Sequence, residues 1–287
     1  MLTPTATRNA PFEDFYVDRR GEGAGNVIAG QIRERGAVTV DGFVSRTDVL
    51  GFVGQVMTLT PHPDSDQDGL TTIKDIGRAS CRPGLAGLGS GELLAHTERS
   101  GTPTPPRLML LVCLRPATSG GEVLLTDGRA VYEDLIARAP DAMDALIRRG
   151  TAFYGGGGGH PSSIFTRHPG TRLSIRYRQD DLGQFSPVVT GYLPALRTAI
   201  GLHEIRIALQ PGQGYLIDNH RYLHARTAFT GPRLCVRALG APLFSLAEGF
   251  AARPAAWACG TEITAGLPSI DWTTGTGEMA DGTGEVR

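Results

Sequence analysis

Two short stretches hold the residue types that bind a catalytic metal. In LLAHTERS (93–100), His96 and Glu98 stand two residues apart. In an extended chain, side chains at i and i+2 point to the same side. On a helix of 3.6 residues per turn they would stand about 200° apart. Gly89, Gly91 and the prolines that follow argue against a helix. His-x-Glu can therefore offer one neutral nitrogen and one anionic oxygen to a single ion. A third ligand must come from elsewhere, and DNHRYLHARTAF (218–229) offers His224, with His220 as its rival. Two histidines and one carboxylate on one face of an octahedron leave three positions open, an arrangement suited to non-haem Fe(II) oxygenases. A chelating keto acid takes two of them and O2 the third. A four-ligand structural zinc site would leave none. A lone loop histidine such as His62 reads as a solvated side chain.

The rest of the chain must position these residues. Its 287 residues carry 28 Lys+Arg against 29 Asp+Glu, a formal charge of -1. That balance offers no general attraction to nucleic acid or to an anionic membrane, and it points to a small-molecule substrate. Gly and Pro (39 and 19 residues) make up about a fifth of the chain, above the usual level of roughly 12%, as loops between short strands would require. No apolar run reaches the length of a membrane span. The first residues lack the apolar stretch of a signal peptide, so a cytoplasmic protein is expected. Cys113 and Cys235 sit in apolar runs and read as free buried thiols.

GNVIAGQIRERG (25–36) has helical spacing and ends at Gly36, and Ser45 is placed to cap a helix through DVLGFVGQVM. LMLLVCL (108–114), EVLLTD, TAFY, RLSIRYR (172–178), EIRIALQ, YLIDN and RLCVRALGAPLF read as strands. Residues 128–150, which end YEDLIARAPDAMDALIRRG, read as two helical stretches broken at Pro140, and residues 59–90 as loop. Many short strands without a βαβ rhythm favour a mostly-β protein with flanking helices, a jelly roll. A single catalytic domain is expected over 1–287, with its core at about 25–258 and irregular segments at 1–22 and 260–287.

Residues 96–135, which begin HTERSGTPTPPRLMLLVCLRPATSGGEVLLTD, and DNHRYLHARTAFTGPRLCVRALG (218–240) resemble the two halves of the site in the taurine dioxygenase/clavaminate synthase-like superfamily of 2-oxoglutarate oxygenases, in the same order. The likeness extends over roughly residues 25–245. It implies a double-stranded β-helix with Fe(II) at His96, Glu98 and His224, and 2-oxoglutarate as co-substrate. It matches Arg233 to the arginine that pairs with the distal carboxylate of 2-oxoglutarate. Arg237 matches one that holds an anionic group of the substrate. The guanidinium fork suits both tasks. Arg99, Arg176 and Arg178 are further pocket candidates, and GGGGGH (155–160) is a candidate lid over it.

Two departures stand out. The acidic ligand is Glu98 where much of the superfamily has Asp, a version shared with clavaminate synthase and with arginine and asparagine β-hydroxylases. Many relatives also carry a threonine that helps to hold 2-oxoglutarate, and here that position is Val123. Thr126, three residues on, would point to the other side of a strand. Related halogenases lack the carboxylate ligand, so Glu98 favours oxidation of a C–H bond, with release of succinate and CO2. An amino acid or other small carboxylate is the expected substrate class. Two other classes share the architecture. A zinc or nickel cupin would act without 2-oxoglutarate, and a non-catalytic binding jelly roll would not retain iron.

Overall fold

The computed structural model describes residues 10–77, 84–155 and 158–252. The chain divides into two compact units, Met1–Arg253 and Pro254–Arg287. Every described residue belongs to the first. The irregular tail expected at 260–287, and residues 1–9, lie outside the described residues.

Ten strands of the two larger sheets, numbered in chain order, build the site. They are β1 (Ala37–Val40), β2 (Met57–Leu59), β3 (Thr71–Ile73), β4 (Leu93–His96) and β5 (Leu108–Arg115). Then come β6 (Val123–Asp127), β7 (Glu204–Ile207), β8 (Gln213–Asp218), β9 (Tyr222–Arg226) and β10 (Leu234–Pro242). The large sheet runs β1–β8–β5–β10–β2, with β3 also on β10, and the small sheet runs β7–β6–β9–β4. The pairings are antiparallel. Two opposed antiparallel sheets of this kind are the expected double-stranded β-helix.

The apolar run LMLLVCL is explained by its central place in the large sheet, where both faces are covered. Met109, Leu111 and Cys113 face inward with Tyr215, Ile217 and Cys235, against Val123, Leu125 and Ile207 of the small sheet. Leu108, Leu110 and Val112 face outward onto Ile28, Ile32, Phe52 and Val53. Those four come from helices Ala24–Arg35 and Arg46–Val56. Each fully buried side chain of this size is worth roughly 2 kcal/mol in apolar area removed from water. The outer face of the small sheet is covered by Gly128–Arg138, Pro140–Ile147 and Leu193–Leu202.

The local signals read as expected. Ser45 accepts from the Asp48 N–H and Asp48 accepts from Ser45, a reciprocal capping box. Gly36 ends its helix at φ 75°, where a Cβ would also meet the Arg221 side chain at 2.6 Å. The helical stretch from 128 breaks at Pro140.

Three expectations change. Residues 10–22 hold a short helix, Ala10–Glu13, and are otherwise turns, but they are anchored, with Phe12 and Phe15 buried in the core between the sheets and Tyr16 bridging Thr39. Residues 59–90 contain β3, held because the long β10 leaves an edge on which Thr71–Ile73 pairs. The strand expected over 172–178 ends at Ile175. Beyond it the backbone turns to serve the site instead, with Tyr177 O accepting from Thr97 N.

Candidate metal centre

Strand pairing brings the candidate ligands together. β4 and β9 are neighbours in register, with His224 opposite His96, and the ring centroids lie 4.1 Å apart. β4 ends at His96, and the next two residues are held individually. Thr97 N donates to Tyr177 O at 2.8 Å. Glu98 N donates to Asn219 Oδ1 at 2.7 Å, and Asn219 Nδ2 donates back to Glu98 O at 3.0 Å and to Pro106 O at 2.9 Å. Arg99 then adopts φ 56°, a left-handed turn uncommon for a non-glycine residue, which ends the extended run at Glu98. One ligand atom from each of His96, Glu98 and His224 falls within 4.8 Å of the others.

The donor set fits a divalent ion. His96 Nδ1 lies 2.8 Å from the Leu94 carbonyl, which can only accept, so Nε2 keeps its lone pair for a metal. Among the described residues His224 Nδ1 is buried without a hydrogen-bonding partner, and its Nε2 lies 3.8 Å from Glu98 Oε2. Burial, and then His96, hold the His224 imidazole well below its usual pKa. Lost solvation likewise lowers His96. Both stay neutral, as ligands must. Burial pushes the Glu98 carboxyl up, but the Arg237 guanidinium, the foremost opposing influence, holds it below its usual range. Arg237 Nη1 donates to Glu98 Oε2 at 2.7 Å, a contact that sequence did not reveal.

The triad opens on a cavity of about 300 Å³. Arg226 and Arg233 line its far end and both are buried. Arg226 donates to three carbonyls, of Gly87, Gly89 and Gly91. Burial, and then Arg233, lower Arg226 to about 10. Arg233 stacks over Phe229 at 5.6 Å, and among the described residues it has no hydrogen bond or acidic partner. The Gly-Gly of residues 120 and 121 makes room here. Gly121 has φ 76°, and a Cβ on it would meet Arg233 Cδ and Phe229 Cβ at 3.3 Å. Val123 lines the same cavity, while Thr126 turns away, its hydroxyl 3.5 Å from Ile200 O. Tyr215 completes this wall.

The remaining candidates divide. Arg99 and Arg178 line the cavity, the latter paired with Asp180. Arg176 instead donates to the carbonyls of Ser100, Thr102 and Pro103, fixing the loop after Glu98. His220 points away from the triad, bonding to Glu248 at 3.0 Å. His62, read as solvated, in fact lines the cavity. In the candidate lid, 156–157 lie outside the described residues, and His160 belongs to a strand, His160–Ser162, paired with Ala152–Tyr154. Asn219 was missed. Its signal was a short amide one residue after Asp218, just upstream of the third ligand.

Comparison with known proteins gives a consistent picture. The family described as "Taurine catabolism dioxygenase TauD, TfdA family" matches residues 2–239. Mitochondrial trimethyllysine dioxygenases of Gallus gallus and Homo sapiens are each 29% identical over 160 residues, covering 49% of this chain. The match spans only 38% of those proteins' length. An asparagine oxygenase solved with Fe(II), 2S,3S-3-hydroxyasparagine and succinate superposes with TM-score 0.61 at 16% identity, over 77% of this chain and 79% of that one. The non-haem iron oxygenase OrfP, solved with Fe and alpha-ketoglutaric acid, gives TM-score 0.58 at 17% identity, over 77% and 80%. At these identities the two structures speak to the fold.

Proposed function

Because this chain belongs to the taurine catabolism dioxygenase TauD, TfdA family, we propose that it is an Fe(II)- and 2-oxoglutarate-dependent oxygenase that hydroxylates an aliphatic C–H of a small amino acid or related carboxylate. The observation that carries this reading is one cavity with two unlike ends. At one end stand two neutral histidines and a carboxylate within 4.8 Å of one another. At the other stand two buried arginines, one of which has no anion to face among the described residues.

His96, Glu98 and His224 would hold Fe(II), which together with 2-oxoglutarate and O2 supplies the oxidising chemistry, with succinate and CO2 as by-products. The protein's share is placement. Arg233 takes the far carboxylate of the co-substrate and so sets the distance from that carboxylate to the triad. Arg237 donates to Glu98 Oε2, which orients the carboxylate. The buried strands around the triad keep bulk water from the reacting carbon.

The wall between the two ends suits a zwitterion. Arg99 offers positive charge to a substrate carboxylate and Asp64 negative charge to an ammonium group, while Arg237 and Asp180 on the same lining are paired with Glu98 and Arg178. The asparagine oxygenase and OrfP structures, solved with hydroxylated amino acids, fit this class. A small concave site also suits a small molecule better than nucleic acid or a lipid surface. Among the described residues no helix is long and apolar enough to cross a membrane. The free thiols Cys113 and Cys235 suit a reducing compartment such as the cytoplasm.

The test is an anaerobic titration of Fe(II) and then 2-oxoglutarate, followed by the visible charge-transfer band of a chelated keto acid. The band, and succinate release on adding O2 with an amino-acid substrate, are the expected results. Metal binding with no band at saturating 2-oxoglutarate would overturn the reading.

A further inference from the structure

The far end of the cavity presents a chemical problem. A carboxylate has about four lone-pair sites, and one guanidinium edge fills two of them. A carboxylate buried there needs another donor, because an unsatisfied buried charge is costly. Arg226 directs three N–H groups to Gly87, Gly89 and Gly91, and its Nε–H, buried without a partner among the described residues, can meet at most one further lone pair. Val123 has none to give, and the Thr126 hydroxyl points to Ile200 O. Among the described cavity residues two others carry a hydroxyl. That of Thr102 is bonded to Arg99 O at 2.9 Å, and that of Tyr215 has no hydrogen-bonding partner among the described residues.

Tyr215 is well placed. On the inner face of the large sheet it stands opposite Leu111, which stands opposite Arg237. The next row toward the far end is Gln213, Cys113 and Cys235, and Arg233 lies two residues before Cys235. Of the charges acting on the Tyr215 phenol, Arg233 is felt most strongly, and Glu98 and Arg237 are felt too. By register and by its place in the cavity lining, Tyr215 belongs to the stretch of wall that runs from Arg237 toward Arg233. Burial pushes the phenol above its usual pKa, so at neutral pH it remains an O–H donor.

We propose that Tyr215 donates its hydroxyl to the distal carboxylate of 2-oxoglutarate beside Arg233, from the sheet opposite Val123. This rests on the reading of the site as a 2-oxoglutarate centre. Tyr215 is thus a co-substrate-binding residue supplied by β8 of the large sheet, and Val123, on β6 of the small sheet, packs against the aliphatic part of the ligand.

The experiment compares two keto acids in the full-length Fe(II) protein without O2. 2-Oxoglutarate carries the distal carboxylate, and 2-oxopentanoate has the same chain length and ends in a methyl group. Dissociation constants come from the visible band, with the shift in thermal midpoint as a second readout. Wild type is expected to prefer 2-oxoglutarate strongly. Tyr215→Phe should bind 2-oxoglutarate roughly ten- to a hundredfold more weakly, the range for a lost hydrogen bond to a charged group. Its affinity for 2-oxopentanoate should stay unchanged. Adding Val123→Thr to the Tyr215→Phe variant should recover affinity for 2-oxoglutarate alone, by offering a hydroxyl from the other sheet.

Undiminished binding of 2-oxoglutarate by Tyr215→Phe overturns the proposal. So does an equal loss for both keto acids, which would mark a packing role. If wild type itself gives no band, or does not distinguish the two acids, the co-substrate reading falls and the proposal with it. That failure is visible before any variant is made.

Discussion

The two ends of the cavity are built by opposite means. At the metal end nearly every atom is fixed by the backbone. His96 is tied to the Leu94 carbonyl, Glu98 is clasped front and back by Asn219, and His224 lies mid-strand. At the far end Arg233 has ring stacking and the space left by glycine, and Tyr215 has packing alone. A metal site needs its geometry before the ion arrives, because the ligands must converge to a few tenths of an ångström. A site for an anion needs charge left uncompensated, so that the ligand completes it. The first end is held mainly by the hydrogen bonds on His96 and Glu98, and the second is receptive through Arg233 and Tyr215, which have none among the described residues.

This contrast is broken most severely at the metal end. His224→Ala removes a ligand and leaves Glu98 without its buried neighbour. The keto-acid band and succinate release should both disappear, while the far end is untouched. Metal content after dialysis, beside the band, measures this.

Arg233→Leu attacks the other end. Metal binding should stay near wild type while affinity for 2-oxoglutarate falls by about a hundredfold or more, since a charge-assisted bidentate contact is lost. A matching loss of metal affinity would show that the two ends are not independent.

Asn219→Ala tests the rigidity of the metal end without touching a ligand. It strands the buried Glu98 N–H and two carbonyls. Stability should fall by about 2–4 kcal/mol, and metal affinity by roughly ten- to a hundredfold, the usual range for a partner that orients a ligand. Denaturant unfolding and metal titration read the two effects separately.

The smallest effect lies behind the site. The bond from His220 holds the Glu248 carboxyl at about 2, below its usual value of roughly 4.3. A depressed carboxyl gives stability that is complete above the unfolded value and is lost as pH falls through the folded one. That window runs from about 4.3 down to about 2. Glu248 is 55% exposed, so its share after screening is no more than about 1 kcal/mol. Glu248→Gln should flatten that part of the profile of thermal midpoint against pH and leave the keto-acid band unchanged at neutral pH.

What the sequence disclosed follows from distance along the chain. The capping box at Ser45, the glycine stop at Gly36, the break at Pro140 and the doubly buried run of β5 are local patterns, and each was legible. His96 and Glu98 were legible because i and i+2 is itself a local geometry. His224 could be preferred over His220 only through resemblance, since nothing within 218–229 tells which histidine a distant strand will face. The Arg237–Glu98 pair, the Asn219 clasp and the Tyr215 wall were hidden because each depends on register between strands that are remote in sequence. β3 was hidden for a related reason. Three residues in a polar stretch become a strand only where β10 extends far enough to offer an edge.

The pairing of His96 with His224 has one more consequence. β4 is the outermost strand of the small sheet, and its register to β9 shifts after His224. An ion held by both histidines would act as a rivet between these two strands. By mass action, a metal bound only by the folded chain adds about 2.7 kcal/mol at a hundred times its dissociation constant. Fraying of this rim would thus be governed by the free metal concentration in the surroundings, so that iron scarcity would loosen the border of the sheet before it silenced the chemistry.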